Sequence, residues 1–180
     1  MRLISIRILT VWALPVTGND RKPIEIVKTP FAELNGQFSP DARWVAYEMN
    51  ESSRFEIVVQ PFPVPTGKWQ VSTGGGIQSR WRADGKELYF VAPDGKLMAA
   101  SITGAGATFS AATPTPLFPV TLAPPLGANN QQYVSRDGRF LINQPVETST
   151  AVPITLILNL ESQALNPGAR SGFIRVPVHW

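Results

Sequence analysis

Cysteine is absent from all 180 residues, which excludes disulfides, thiolate metal sites and a cysteine nucleophile. Histidine occurs once, as His179 beside the C-terminal Trp180. A triad needs an imidazole oriented by a third group, and a zinc site needs several ligands. His179 offers neither, so no catalytic residue, metal or cofactor is expected. Charge is also scarce, at 16% of residues against a usual ~25%. The net charge of +3 is spread along the chain, so neither a nucleic-acid nor a membrane-surface partner is expected. No run approaches the ~18 apolar residues of a spanning helix.

The N-terminal stretch, with an early Arg2 and an apolar run, loosely resembles a signal peptide. Arg7 interrupts that run, and no small-x-small cleavage site follows. Ile4, Ile6 and Ile8 instead alternate with Ser5 and Arg7, the period of a half-buried strand.

What the chain does have is 43% apolar residues with 14 Gly and 17 Pro, a composition for short strands and many turns. The turns recur. NGQFSPDARWVAY from Asn35 is followed by RWRADGKELYF from Arg80 and YVSRDGRFLIN from Tyr133. Aligned on Asp41, Asp84 and Asp137, the copies lie 43 and 53 residues apart. A period of roughly 40 to 50 residues is that of a four-stranded propeller blade. Asp-Gly between apolar runs marks a hairpin, because glycine takes positive φ freely and aspartate folds back on the backbone. Pro40-Asp41, Asp84-Gly85, Asp94-Gly95 and Asp137-Gly138 are the turns this predicts. Ala42 replaces the glycine in the first copy, which demands another turn type or some strain.

These stretches, with FEIVVQPFP and GGGIQSRWRADGKELYFVAPDGKLMA, resemble the WD40-like (PD40) repeats of TolB-type β-propellers. They are most similar to the C-terminal propeller of bacterial serine/threonine protein kinases. The resemblance spans about Val11 to Leu160. It implies an all-β fold, a partial β-propeller of about three four-stranded antiparallel blades.

The expected organisation is a blade remnant over 1–30, blades over 31–74 and 75–121, a partial blade over 131–160, and a C-terminal tail over 161–180. Strands are expected at Leu3–Leu9, Val11–Val16 and Ile24–Lys28, then at Gly36–Ser39, Trp44–Met49, Phe55–Pro61 and Lys68–Ser72. The third unit places them at Gln78–Arg82, Glu87–Ala92 and Leu97–Ile102. Thr103 to Asn130 holds five prolines, which argues against central strands but leaves Leu117–Thr121 as an edge strand. The last strands fall at Gln132–Ser135, Phe140–Asn143 and Ile154–Leu160. Propellers close with four to eight blades. About three blades therefore point to a fragment, a truncated product, or a chain that completes its ring by self-association. The starting methionine inside a blade favours truncation.

The remaining motifs read as structure. Asp41, Asp84, Asp94 and Asp137 sit in turns, and nothing in their spacing pairs them for acid–base work. Gly74-Gly75-Gly76 lacks the Lys-Ser/Thr of a phosphate loop, and Gly67-Lys68 is followed by Trp69. Gly168 to Gly172 has the wrong spacing for a hydrolase elbow around Ser171, and kinase signatures are missing. Arg80-Trp81-Arg82 resembles a stacking surface for nucleic acid, but strand alternation turns Trp81 inward and the arginines outward, toward a central channel. Trp12, Trp44, Trp69 and Phe62 read as packing between blades.

The resemblance implies a non-catalytic binding or sensory module presenting a face to a protein, peptide or small ligand, with Asn50–Arg54 the first contact loop. The alternatives are the sensor propeller of a serine/threonine kinase, a prolyl-oligopeptidase-like propeller without its hydrolase domain, and a non-functional remnant. The first implies an extracytoplasmic location in a membrane-anchored parent, whereas expression alone without a signal peptide implies the cytoplasm.

Overall fold

The computed structural model describes residues 9–19, 21–105, 108–122 and 132–145, together with 155–156 and 174–175. His179, the 168–172 stretch and most of the expected strand at Leu3–Leu9 lie outside the described residues. The protein is all-β, with no helix among the described residues. It divides into two compact units, Met1–Pro145 and Val146–Trp180.

The first unit is a row of antiparallel sheets. β1 (Trp12–Ala13) pairs with β2 (Ile24–Glu25). A four-stranded sheet follows in chain order: β3 (Glu33–Phe38), β4 (Trp44–Met49), β5 (Glu56–Pro61) and β6 (Trp69–Gln70). The next sheet holds β7 (Ile77–Trp81), β8 (Glu87–Val91), β9 (Lys96–Ala105), β10 (Thr108–Ala111) and β11 (Thr115–Pro119). β12 (Gln132–Val134) then pairs with β13 (Phe140–Ile142). In the second unit β14 (Thr155–Leu156) pairs with β15 (Ile174–Arg175).

Alternation along each strand builds a core on both faces of the middle sheets. On β4, Val45, Tyr47 and Met49 pack toward Ala13, Ile26 and Val27. Trp44 and Ala46 on the same strand face Leu88, Phe90, Ala100, Ile102 and Phe109. On β8, Tyr89 and Val91 turn away from that core and pack with Leu97 against Val134, Phe140 and Ile142. Strands buried on both sides read as near-continuous apolar runs, which is why WVAYEM and ELYFV look as they do. Each large side chain so buried contributes about 1.5–3 kcal/mol. Trp44, Trp69 and Phe109 form an aromatic cluster with centroids 5.1–5.7 Å apart.

Two expectations need correction. In the 103–130 stretch the expected edge strand is present as β11, beginning two residues earlier than Leu117, and β10 with the extension of β9 is the unexpected part. β9 runs on to Ala105 and pairs with β10 through Ile102–Ala105 and with β11 through Lys96–Ala99. The prolines are accommodated because β11 lies at the sheet edge, with a register shift between Pro116 and Phe118. The tail also contributes, since β15 lies within it and partners β14.

Candidate functional site

The four Asp turns share one local construction. The N–H of Ala42, Gly85, Gly95 and Gly138 donates to the carbonyl three residues earlier, at 2.8–3.0 Å. In the first three, Asp Oδ1 accepts the amide two residues on: Asp41 from Arg43 (3.1 Å), Asp84 from Lys86 (3.0 Å) and Asp94 from Lys96 (3.2 Å). In the fourth, Ser135 Oγ donates to Asp137 and accepts the Arg139 amide. Ala42 adopts φ 56°, the same left-handed conformation as Gly85 at 71° and Gly138 at 83°. The first copy therefore keeps the turn and carries the strain.

Three of these turns diverge in setting. Asp41 and Asp84 both line an open groove of about 870 Å³ that runs between the β3–β6 sheet and the β7–β11 sheet. Its lining includes Ser39, Arg43, Trp44, Trp81, Arg82, Lys86 and Glu87, with Ser101, Thr103, Thr108 and Ser110 from β9 and β10. That volume is in the range of ligand clefts. Asp94 instead lines a separate cavity of about 380 Å³ with Gly74, Gly75, Pro93 and Met98. The Asn50–Arg54 loop lies at the other end of β4, where Asn50 Oδ1 accepts the Ala32 amide at 2.8 Å.

Both arginines in the groove are paired with its carboxylates. Arg43 Nε lies 2.6 Å from Asp41, and Arg82 lies 3.4 Å from Asp84 and 3.3 Å from Glu87. The Ser39 hydroxyl, and after it Arg43, hold the Asp41 carboxyl down at about 2. So acidic a group is a poor general base at neutral pH. Burial and the Glu87 hydrogen bond push the Tyr89 phenol up to about 12. The Arg82 guanidinium is held more basic than usual by Asp84 and Glu87.

Apart from the groove runs a buried polar string that the sequence pattern did not reveal. β3 and β7 carry the same irregularity, a register shift between Leu34 and Gln37 and between Ile77 and Arg80. Asn35 (φ 52°) and Gln78 (φ 57°) are left-handed there. Glu48 Oε1 accepts the Gln78 amide at 2.6 Å and Asn35 Nδ2 at 2.7 Å. The Gln78 carbonyl accepts Gln132 Nε2 at 2.6 Å, and the Gln132 carbonyl accepts Arg80 Nε at 2.8 Å. Burial pushes the Glu48 carboxyl up and the Arg80 guanidinium down. Glu48 Oε2, Ser79 Oγ, Arg80 Nη2 and Gln132 Oε1 are buried with no hydrogen-bond partner among the described residues.

This string reverses the expected orientation of Arg80. It is buried and lies over the Tyr133 ring at 5.5 Å, while Trp81 is half-buried and reaches the Gln37 carbonyl at 3.3 Å. Strand alternation holds, but β12 covers the face that was taken for an outward one. Trp12 is also corrected: it is 52% exposed rather than packed between sheets. Gly75 and Gly76 belong to the crossover from β6 to β7. A Cβ on Gly76 would meet Ile57 and Phe90 at 2.9 Å.

The one signal that marked the string in the sequence is the repeat itself, which aligns Asn35 with Gln78. No protein-family model matches the chain, and none of the curated proteins is a significant match.

Proposed function

We propose that this chain is a non-catalytic binding module built from β-propeller blades of the TolB/PD40 type. The all-β row of antiparallel sheets and the repeated Asp turns support that reading. The observation that carries the binding role is the groove. Two equivalent turns from neighbouring sheets bracket it, so a rigid framework presents the same loop twice at one opening. The two arginines that line it are held by its carboxylates, which keeps the opening in one arrangement.

Tryptophan fluorescence tests this with panels of peptides and oligosaccharides. A saturable change that Trp81→Phe and Lys86→Ala weaken, with ligand recovered intact by mass spectrometry, is the expected result. Conversion of the ligand, or binding indifferent to both substitutions, would reject the reading.

A second reading, self-association to complete a ring, is favoured by exposed apolar side chains on both end sheets. Trp12 lies on one, with Leu14 directly after it, and Tyr133 and Leu141, the latter 70% exposed, lie on the other. Exposed apolar clusters of this kind mark interaction surfaces. Light scattering at twice the chain mass, abolished by Leu141→Lys, is the result this reading requires.

A further inference from the structure

We infer that two copies of this chain close one ring, β13 of each pairing with β1 of the other, an inference that rests on the self-association reading above. The two end sheets are opposite halves of one sheet. Ile26 donates its amide to the Val11 carbonyl at 3.0 Å, and Glu33 donates to Leu9 at 2.8 Å. The amides of Val71 and Gly76 repeat both bonds, to Ile57 and Phe55, at 2.8 Å. β1 and β2 therefore stand where β5 and β6 stand in the next sheet. The first sheet is a third and a fourth strand without a first and a second.

The last sheet is the reverse. The Asp137 turn joins β12 to β13 as the Asp41 turn joins β3 to β4 and the Asp84 turn joins β7 to β8. Val134 opposes Phe140 across it, as Phe38 opposes Val45 and Trp81 opposes Leu88. β12 and β13 are a first and a second strand. Among the described residues β13 pairs only with β12, and β1 only with β2. The edge that β5 covers on β4 is thus open on β13, and the edge that β4 covers on β5 is open on β1.

Side-chain exposure follows the same division. Leu141 holds the place of Ala46 and Tyr89, and Trp12 that of Val58, yet only the latter three are buried. Tyr89 packs on Phe140 and Ile142 of the sheet that follows it, and Val58 on Ala13 of the sheet that precedes it. A second copy docked edge to edge continues both packing surfaces. Its β3–β6 sheet would cover Leu141 of the first copy, and the β7–β11 sheet of the first would cover its Trp12. Carried over from β4 and β5, the register sets Leu141 opposite Ala13 and Ile142 opposite Trp12. Each chain brings two whole sheets and two halves. Two chains joined at both ends hold six whole sheets, within the four to eight at which propellers close, whereas three chains would hold nine. Closed two-fold rings are also the commonest assemblies of identical chains.

The experiment joins light scattering to cysteine cross-linking, for which the chain has no cysteine of its own to compete. The native chain should scatter at twice the chain mass. Co-expressed Ala13→Cys and Leu141→Cys chains should form a reducible covalent dimer on oxidation, because opposed residues of antiparallel strands have Cα atoms about 4.5–5.5 Å apart, within disulfide reach. Trp12→Cys with Ile142→Cys should do the same, which guards against one pair that fails to fold. Leu14→Cys with Leu141→Cys should not cross-link, since neighbouring side chains on a strand point to opposite faces. A native dimer in which neither opposed pair cross-links, or in which the Leu14 pair does so equally, would overturn this junction and leave self-association standing. A native mass of three chains or more would overturn the two-copy ring, and a monomer would overturn self-association with it.

Discussion

Glu48 on β4 holds the backbone N–H of Gln78 on β7 at 2.6 Å, so a buried carboxylate of one sheet fixes the bulge of the next. The same Gln78 offers its carbonyl to Gln132 on β12. One left-handed residue is thus gripped from both sides, and three sheets are joined through it. Bulges of this kind re-aim side chains at defined places.

Substitution of Glu48 separates its hydrogen bond from its charge. Burial raises its carboxyl above the ordinary 4.5, against the pull of the Gln78 amide, Asn35 and Arg80. Stability from a raised carboxyl is fully present below pH 4.5 and is lost as pH rises through the folded value. Glu48→Gln keeps an acceptor without the charge, so its stability relative to the parent should climb with pH above about 4.5 and stay flat below. Glu48→Ala leaves the Gln78 amide without its acceptor and should cost about 1–3 kcal/mol. Urea unfolding across pH 4 to 8 reads both. A Gln variant offset by the same amount at every pH would contradict the burial argument.

The strained first turn has a direct remedy. Ala42→Gly should stabilise the protein by about 0.5–1 kcal/mol, because a non-glycine residue in the left-handed region costs roughly 1–2 kcal/mol and glycine gives back part of that in chain entropy. Gly85→Ala should destabilise by about the same amount. Thermal melts of the two variants should move in opposite directions, and movement in the same direction would mean that the turns are not equivalent.

Close approach, rather than conformation, governs Gly76. An added Cβ would come within 2.9 Å of Ile57 and Phe90, both in the core between the two large sheets. Gly76→Ala should therefore cost about 1–3 kcal/mol. In a double-mutant cycle with Ile57→Ala, which removes the Cγ1 that the new Cβ meets, Gly76→Ala should cost less than it does alone. An equal cost in both backgrounds would place the clash elsewhere.

Much of this fold was legible because its signals are local. β4 spans Trp44–Met49 as the apolar run predicts, and β8 opens at Glu87 as the turn before it requires. Asp-Gly chemistry alone locates the turns at 84–85, 94–95 and 137–138. The buried string was not legible, since Asn35 and Gln78 take positive φ without being glycine, held by partners 13 to 54 residues away. Arg80 was misjudged for the same reason: alternation gives the face of a strand but not what covers it. The prolines at 114, 116 and 119 left β11 legible as an edge strand, whereas β10 was missed because Thr108–Ala111 is recognised only through its pairing with β9. The groove was half visible. Its turns are repeats, but β9 and β10 come to its lining only through the sheet pairing.

The central claim is that ligand binds where the turns at 39–43 and 82–86 meet. Amide and indole chemical-shift mapping of the labelled chain, titrated with the peptide and oligosaccharide panels, tests it most directly. The account predicts shifts concentrated at Ser39 to Arg43, Arg82 to Glu87 and the Trp81 indole, with the ligand recovered unaltered. Shifts confined to Gly74, Gly75 and Asp94 around the smaller cavity, or a ligand returned chemically changed, would contradict it.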